Sequence, residues 1–248
     1  MRGRRAHSRV RCRAPPMSSR FSRPAVAAFE LFFLPWMRRR LRAVRIAGIP
    51  ESLPVARPIV LVANHVSWWD GFILREVHRA IRPTAPFFTL MSKEELDRIP
   101  FLRQLGVLEI DRNSPSSIAR AIRFLEARVT RCPDTVVAYF PQGRIWPTHR
   151  RPLGFKRGVE LVLRRLDAVA LPVAIHVEPL TDVAPTVFVS IGQPVGADAG
   201  AGLLERCVER ELDAVLAFLA THGEEAGERW PTAGTGSLLP RGDSPSLP

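Results

Sequence analysis

The stretch "VLVANHVSWWDGFIL", residues 60–74, joins an apolar run to a helical pattern, and so predicts a buried strand that passes directly into a helix. The same alternation continues along the chain. Further apolar runs of strand length lie at 59–63, 86–90, 107–110, 135–140, 169–175 and 186–191, and helical patterns lie at 67–81, 92–98, 114–131, 155–166 and 202–221. Strands that alternate with helices predict an α/β layered fold with a largely parallel sheet flanked by helices.

Charge is concentrated at the start of the chain. The 248 residues carry a formal net charge of +12, yet residues 1–45 alone contain thirteen arginines and a single acid, Glu30. The rest of the chain is therefore neutral. A basic arm on a neutral body is typical of a protein that meets an anionic membrane surface, and we predict no nucleic-acid partner. The three cysteines, Cys12, Cys132 and Cys207, lack a metal-ligand spacing, so no metal site is predicted.

Residues 24–37 are apolar apart from Glu30 and are followed by the basic run "RRRLR". As a helix they would extend roughly 21 Å, which is short of the ~30 Å hydrocarbon core of a bilayer. They are either a helix packed on the domain or a helix that lies in the membrane interface. We favour the second interpretation and expect a peripheral protein on the cytoplasmic face of the membrane.

The predicted organisation has four parts. Residues 1–23 are expected to form a basic disordered arm, residues 24–46 a membrane-associating helical segment, residues 47–222 the main domain, and residues 223–248, rich in Gly, Pro and Ser, a disordered tail.

His65 and Asp70 lie where the first predicted strand ends, which is the edge at which open α/β sheets bind their ligands. Ser67 and Asp70 also match a capping box, so the carboxylate has a purely structural interpretation as a helix start. The two interpretations are compatible, because a carboxylate in the first turn faces back towards His65. A carboxylate that binds one imidazole nitrogen leaves the other as a general base.

Four further blocks follow in order: "GVLEIDR" at 106–112, "YFPQGRIWP" at 139–147, "GFKRGVEL" at 154–161 and "LPVAI" at 171–175. With the Asn-His-x-x-x-x-Asp block before them, they resemble the glycerolipid acyltransferase superfamily, in particular the bacterial 1-acylglycerol-3-phosphate acyltransferases. The resemblance covers about residues 50–195. Counting the Asn-His block as the first, the third block is the one at 139–147. It reads FPQGRI here, whereas the superfamily usually has FPEGTR.

The resemblance implies transfer of a fatty acyl group from acyl-CoA or acyl carrier protein to a lipid hydroxyl, without a further cofactor. The leading acceptor is lysophosphatidic acid, as in phospholipid biosynthesis. By motif position, His65 is implied to be the general base and Asp70 the residue that orients it. Arg112, in the block that opens with Gly106, is implied to bind the acceptor phosphate; its alternative is an ordinary arginine at a strand end.

The third block leaves the acceptor open. Gly143 matches the superfamily, but Gln142 replaces glutamate, Arg144 replaces threonine and Ile145 replaces arginine. Either Arg144 takes over the phosphate contact from one position earlier, or Gln142 hydrogen-bonds a neutral, hydroxyl-rich acceptor such as a glycolipid. A non-catalytic lipid-binding member of the fold is the remaining alternative.

Overall fold

The computed structural model describes residues 23–111 and 113–231. Its helices are α1 (Arg23–Arg40), α2 (Asp70–Ile81), α3 (Lys93–Arg98), α4 (Pro115–Arg131), α5 (Gly158–Leu166), α6 (Ala201–His222) and α7 (Ala226–Arg229). Its strands are β1 (Ala43–Ala47), β2 (Ile59–Ala63), β3 (Phe87–Ser92), β4 (Val107–Ile110), β5 (Val136–Tyr139), β6 (Val169–Glu178) and β7 (Thr186–Ile191). Short 3₁₀ turns cover Pro100–Leu105 and Gly223–Glu225. Every predicted strand and helix is present, with ends shifted by a turn or less.

The described strands form one seven-stranded sheet in the order β1-β7-β6-β2-β5-β3-β4. Neighbours are parallel except for β6 and β7, which are antiparallel. The prediction of an α/β fold with a largely parallel sheet is confirmed. The edge strand β1 was missed, because Arg45 interrupts its short apolar run. Residues 43–46, expected in the helical segment, therefore belong to the sheet.

Alternate side chains of β2 enter two different core layers. Ile59, Leu61 and Ala63 pack beneath α1 and α2. Val60 and Val62 face the other way, into the layer that contains side chains of α4, α5 and α6. Because both faces of the strand are covered, its sequence is a continuous apolar run, as is usual for central parallel strands.

Helix α1 has one buried and one exposed side. Met37 is fully buried, and Phe33 packs against the core beneath α2. Leu31 and Phe32, in contrast, are 68% and 75% exposed. The segment is thus packed on the domain and still presents large apolar side chains to the solvent. Within the described chain, no helix has both the length and the hydropathy that crossing a membrane requires.

The expected disordered tail begins too early. Residues 223–229 continue α6 as a 3₁₀ turn and the short helix α7. Trp230 is buried and its ring meets that of Phe188 with centroids 5.2 Å apart. Its ring also meets that of Phe218, with centroids 4.9 Å apart. These contacts keep residues 223–231 folded against β7 and α6, and the prediction was wrong for them. Residues 1–22 of the predicted arm and 232–248 of the predicted tail lie outside the described residues.

Candidate active site

Asn64 determines where the chain leaves the sheet. β2 lies between β5 and β6, and the buried amide of Asn64 follows its last residue. Its Nδ2 donates to the carbonyl oxygen of Ile175 in β6, and its Oδ1 accepts from the N–H of Ile175, both at 2.8 Å. This pair of bonds anchors the residue immediately before His65. The sequence signal is a polar amide directly after an apolar strand, and sequence reasoning alone missed its role.

Asp70 opens α2 and is completely buried. Its Oδ2 accepts from the N–H groups of Val66 at 2.6 Å and Ser67 at 2.9 Å, and its Oδ1 accepts from the Ser67 hydroxyl at 2.5 Å. The bond to the Ser67 N–H is the one that the capping box predicted. A buried carboxylate needs such donors to offset its lost hydration. Asp70 is therefore held in one orientation from its own helix start.

The imidazole of His65 completes this cluster. Its Nδ1 lies 2.7 Å from Oδ2 of Asp70, and its ring stacks on Phe140 with centroids 4.4 Å apart. With Nδ1–H donated to the carboxylate, Nε2 keeps a lone pair. The side chain of His65 is 16% exposed and lies in the wall of a cavity. This arrangement is suited to taking a proton from a group bound in that cavity.

The loop after β5 holds the backbone of His65 from the opposite side. The N–H of His65 donates to Oε1 of Gln142 at 2.6 Å, and its carbonyl oxygen accepts from the N–H of Trp146 at 2.7 Å. Gln142 is buried and does not line the cavity. The structure therefore gives Gln142 a backbone partner, and its contact with a substrate hydroxyl stays a prediction. The contact of Trp146 had no signal in the sequence.

The cavity beside His65 has a volume of about 520 Å³, within the range of small-molecule sites. Its lining is largely apolar and comes from α1, α2, β3, the 3₁₀ turn, β4 and the β5–α5 loop. Apolar side chains in the wall include Phe29, Phe72, Met91, Leu102 and Ile110. Cationic side chains enter the lining at Arg75, Arg98 and Lys156. Glu95 lines the cavity as well. The cavity thus combines an apolar body with a few charges, most of them positive.

The other predicted site residues separate into different surroundings. Gly143 lines the cavity with φ 69°, and its N–H donates to the carbonyl oxygen of Phe140 at 3.0 Å. Ile145 also lines the cavity. Arg144 does not: it is exposed, and its guanidinium lies 4.2 Å from the ring centroid of Trp146.

Gly106 has φ 88°, a left-handed conformation that favours glycine, and connects the 3₁₀ turn to β4. It is not part of the cavity lining, so its position is explained by the turn. Arg112 lies outside the described residues.

Comparison with known proteins identifies a family and a similar fold. The model of the acyltransferase family matches residues 43–176, more than half of the chain. Among solved structures, the chain is similar to the 1-acyl-sn-glycerophosphate acyltransferase PlsC from Thermotoga maritima, with a TM-score of 0.53 and 21% identity over 78% of this chain and 79% of that chain. At that identity the likeness concerns the fold. No curated protein sequence matches the chain.

Proposed function

The chain belongs to the acyltransferase family, and on this premise we propose that it transfers a fatty acyl group from a thioester donor to a lipid hydroxyl, with His65 as general base. The observation that carries the proposal is the His65–Asp70 pair, 2.7 Å apart, in the wall of an apolar cavity. The cavity has the volume and the apolar lining that a hydrocarbon chain requires. The donor is acyl-CoA or acyl carrier protein.

The proposed reaction needs no covalent enzyme intermediate, because a thioester is already activated. Nε2 of His65 takes the proton of the acceptor hydroxyl as its oxygen attacks the thioester carbonyl carbon. Asp70 stabilises the imidazolium that forms. Collapse of the tetrahedral intermediate breaks the C–S bond, and the departing thiolate takes the proton back from His65. The products are the ester and the free thiol.

Lysophosphatidic acid is the acceptor that we propose first, in keeping with a role in phospholipid biosynthesis. Its phosphate is attached next to the reacting hydroxyl, so it must stay inside the cavity near His65. Lys156 lines the cavity in the same block as Gly158 and is exposed, without an ion pair among the described residues. An ammonium group there can bind a phosphate oxygen.

A neutral acceptor is the second candidate, and Ile145 favours it. This residue occupies the position at which the superfamily usually has arginine, and its side chain lines the cavity. A glycolipid or another hydroxylated lipid would lose nothing from that replacement, whereas a phosphorylated acceptor would lose a charged hydrogen bond.

One experiment tests the activity and separates the acceptors. The purified protein is incubated with a labelled acyl-CoA, or with the same acyl group on acyl carrier protein, and with lysophosphatidic acid, other lysophospholipids, glycolipids or hydroxylated lipids. Labelled products are then measured. Transfer by the Ile145→Arg variant is measured with the same donors and acceptors. A phosphate acceptor should be used about tenfold more efficiently by this variant, because a charged hydrogen bond is added, and a neutral acceptor should be used less well. Absence of any transfer, from acyl-CoA and from acyl carrier protein alike, would leave the chain as a non-catalytic lipid-binding member of the fold.

We also propose that the protein binds peripherally to the cytoplasmic face of a membrane through α1. Its exposed side chains Leu31 and Phe32 lie on the helix that contributes Phe29 to the cavity, and arginines follow at the end of the helix. Apolar side chains in the interface next to cations among the lipid headgroups are a favourable arrangement. Bound in this way, the mouth of the cavity would be near the lipid acceptor.

Vesicle flotation tests the membrane proposal without removing α1, whose Met37 belongs to the core. Leu31→Ser together with Phe32→Ser should weaken binding to vesicles of phosphatidylglycerol and phosphatidylcholine by at least about tenfold, because two large apolar side chains are lost. Val183→Ser is the matched control, since Val183 is fully exposed but lies in the β6–β7 loop. Equal binding by all three proteins would show that the membrane contact lies elsewhere.

A further inference from the structure

The β5–α5 loop carries a cluster of positive charge that the proposed catalytic steps do not use. From Gly143 to Arg157 inclusive, the sequence contains four arginines and one lysine, and no acidic residue. Arg144 and Arg150 are both exposed, and neither forms an ion pair in the part of the chain that the structure describes. Their guanidinium carbons lie 4.2 Å and 4.3 Å from the ring centroid of Trp146. One indole ring therefore contacts two groups of like charge.

Such an arrangement is suited to an anion. Cation–π contacts orient the two guanidinium groups, but they leave the repulsion between them uncompensated. Guanidinium groups bind phosphate through paired N–H donors, and an anion shared by both would remove the repulsion. Because the indole ring is already in contact with two guanidinium groups, the cluster offers charge and hydrogen-bond donors to a ligand in place of an aromatic surface.

The position of the cluster indicates which phosphate it binds. Arg144, Trp146 and Arg150 do not line the cavity, although Gly143 and Ile145 on the same loop do. The phosphate of a lysophosphatidic acid acceptor must remain in the cavity, next to the reacting hydroxyl. A phosphate bound by the cluster lies outside the cavity lining, so it must be connected to the reacting carbon by a longer arm.

Thioester donors have such an arm. Acyl-CoA and acyl carrier protein both attach the acyl group to phosphopantetheine, whose arm is roughly four residue lengths long, so that its phosphate lies about 14 Å from the sulfur. Building on the proposed acyl transfer, we propose that Arg144 and Arg150, held on Trp146, bind the phosphopantetheine phosphate of the acyl donor. The backbone bond from Trp146 to His65 connects the loop that carries this site to the segment that carries the base. In this assignment Arg144 serves the donor, whereas the sequence had associated it with the acceptor.

The test compares donors with and without the phosphate. Transfer is measured with palmitoyl-CoA, palmitoyl-acyl carrier protein and S-palmitoyl-N-acetylcysteamine, a thioester that lacks the phosphate. Arg144→Ala and Arg150→Ala should each raise the donor KM about tenfold or more with a phosphate-bearing donor, as expected for a lost charged hydrogen bond. Neither should change kcat/KM for the truncated thioester. Arg157→Ala is the matched control, because this exposed arginine of the same loop pairs with Glu160.

Each outcome decides the proposal. Losses with both phosphate-bearing donors, or with one of them, support it, and the donor that loses more is the source of the phosphate. An equal loss with the truncated thioester, a higher acceptor KM with every donor, or no loss at all would overturn it. Binding of free CoA and of carrier protein with its phosphopantetheine, measured by calorimetry on the same variants, needs no turnover. It therefore tests the site even if the proposed transfer reaction fails.

Discussion

Two histidines lie at opposite ends of α2 in very different surroundings. His65, just before the helix, shares a hydrogen bond with a carboxylate and faces the cavity. His78, in the last turn, is buried, and its Nε2 bonds the carbonyl oxygen of Ala85 at 3.0 Å. Burial lowers the pKa of His78 to about 4, and the neighbouring charges of Arg75 and Arg79 act in the same direction. His78 is therefore neutral at ordinary pH.

The difference teaches that an accessible nitrogen and an acidic partner, together, make a histidine a candidate base. Among the described residues, the hydrogen-bond partner of His78 is the carbonyl oxygen of Ala85, and its ring packs against Phe87 with centroids 5.0 Å apart. His65 has Asp70 on one ring nitrogen, and two partners on its backbone besides. His78 should therefore affect stability, and His65 should affect turnover.

The largest effect is expected from His65→Ala. Loss of the proposed base should lower kcat by roughly 10²–10⁴-fold. The protein should stay folded, with stability lower by about 1–2 kcal/mol, because the bond to Asp70 and the ring contact with Phe140 are lost. Initial rates and thermal unfolding of the same sample measure both quantities. Near-normal turnover in a folded His65→Ala protein would contradict the proposed mechanism.

The second largest effect is expected from Asp70→Asn. It should lower kcat by about 10²-fold, because a neutral amide no longer stabilises the imidazolium. The amide oxygen can keep the N–H groups of Val66 and Ser67, and the Ser67 hydroxyl can turn to accept from the new NH₂. Stability should therefore fall by only about 1 kcal/mol. Asp70→Ala should cost roughly 2 kcal/mol or more, since those donors lose their partner. A large loss of stability in Asp70→Asn with the rate preserved would reduce Asp70 to a helix cap.

A smaller effect is expected from Gln142→Leu, which removes the acceptor for the N–H of His65. We expect kcat to fall by roughly tenfold, because the base is displaced. The KM of the acyl donor and the KM of the acceptor should change little, because the cavity is intact. Gln142→Glu keeps an oxygen at that position and should recover most of the lost rate. If both variants raised the acceptor KM instead, Gln142 would contact substrate after all.

His78→Phe should leave turnover unchanged and make stability less dependent on pH. In the native protein the pKa of His78 is about 4, below its ordinary value of 6.5. The unfolded chain thus binds a proton that the folded chain rejects, and stability is lost as pH falls from about 6.5 to about 4. The expected loss is about 3 kcal/mol. Urea unfolding at pH 7 and pH 4 should show that the variant loses about that much less than the native protein; equal losses would contradict the low pKa.

Local pattern was sufficient for most of the fold and for the pairing of His65 with Asp70. The apolar runs and helical periods predicted six of the seven described strands, because a central parallel strand is apolar on both faces. Asp70 reaches His65 because a carboxylate in the first helical turn faces back along the chain, a relation within five residues. The short strand β1 and the buried Trp230 were missed, since each depends on a distant partner.

Only the tertiary structure decided what surrounds that pair. Gln142 is 77 residues from His65, and Ile175 is 111 residues from Asn64; both meet β2 because it lies between β5 and β6. The sequence determined that His65 and Asp70 stand at a strand end and that the third block departs from the superfamily. That Ile145 lines the cavity while Arg144 rests on Trp146 depends on how the loop packs. Strand order and loop packing are set by contacts between distant segments, and local periodicity does not encode them.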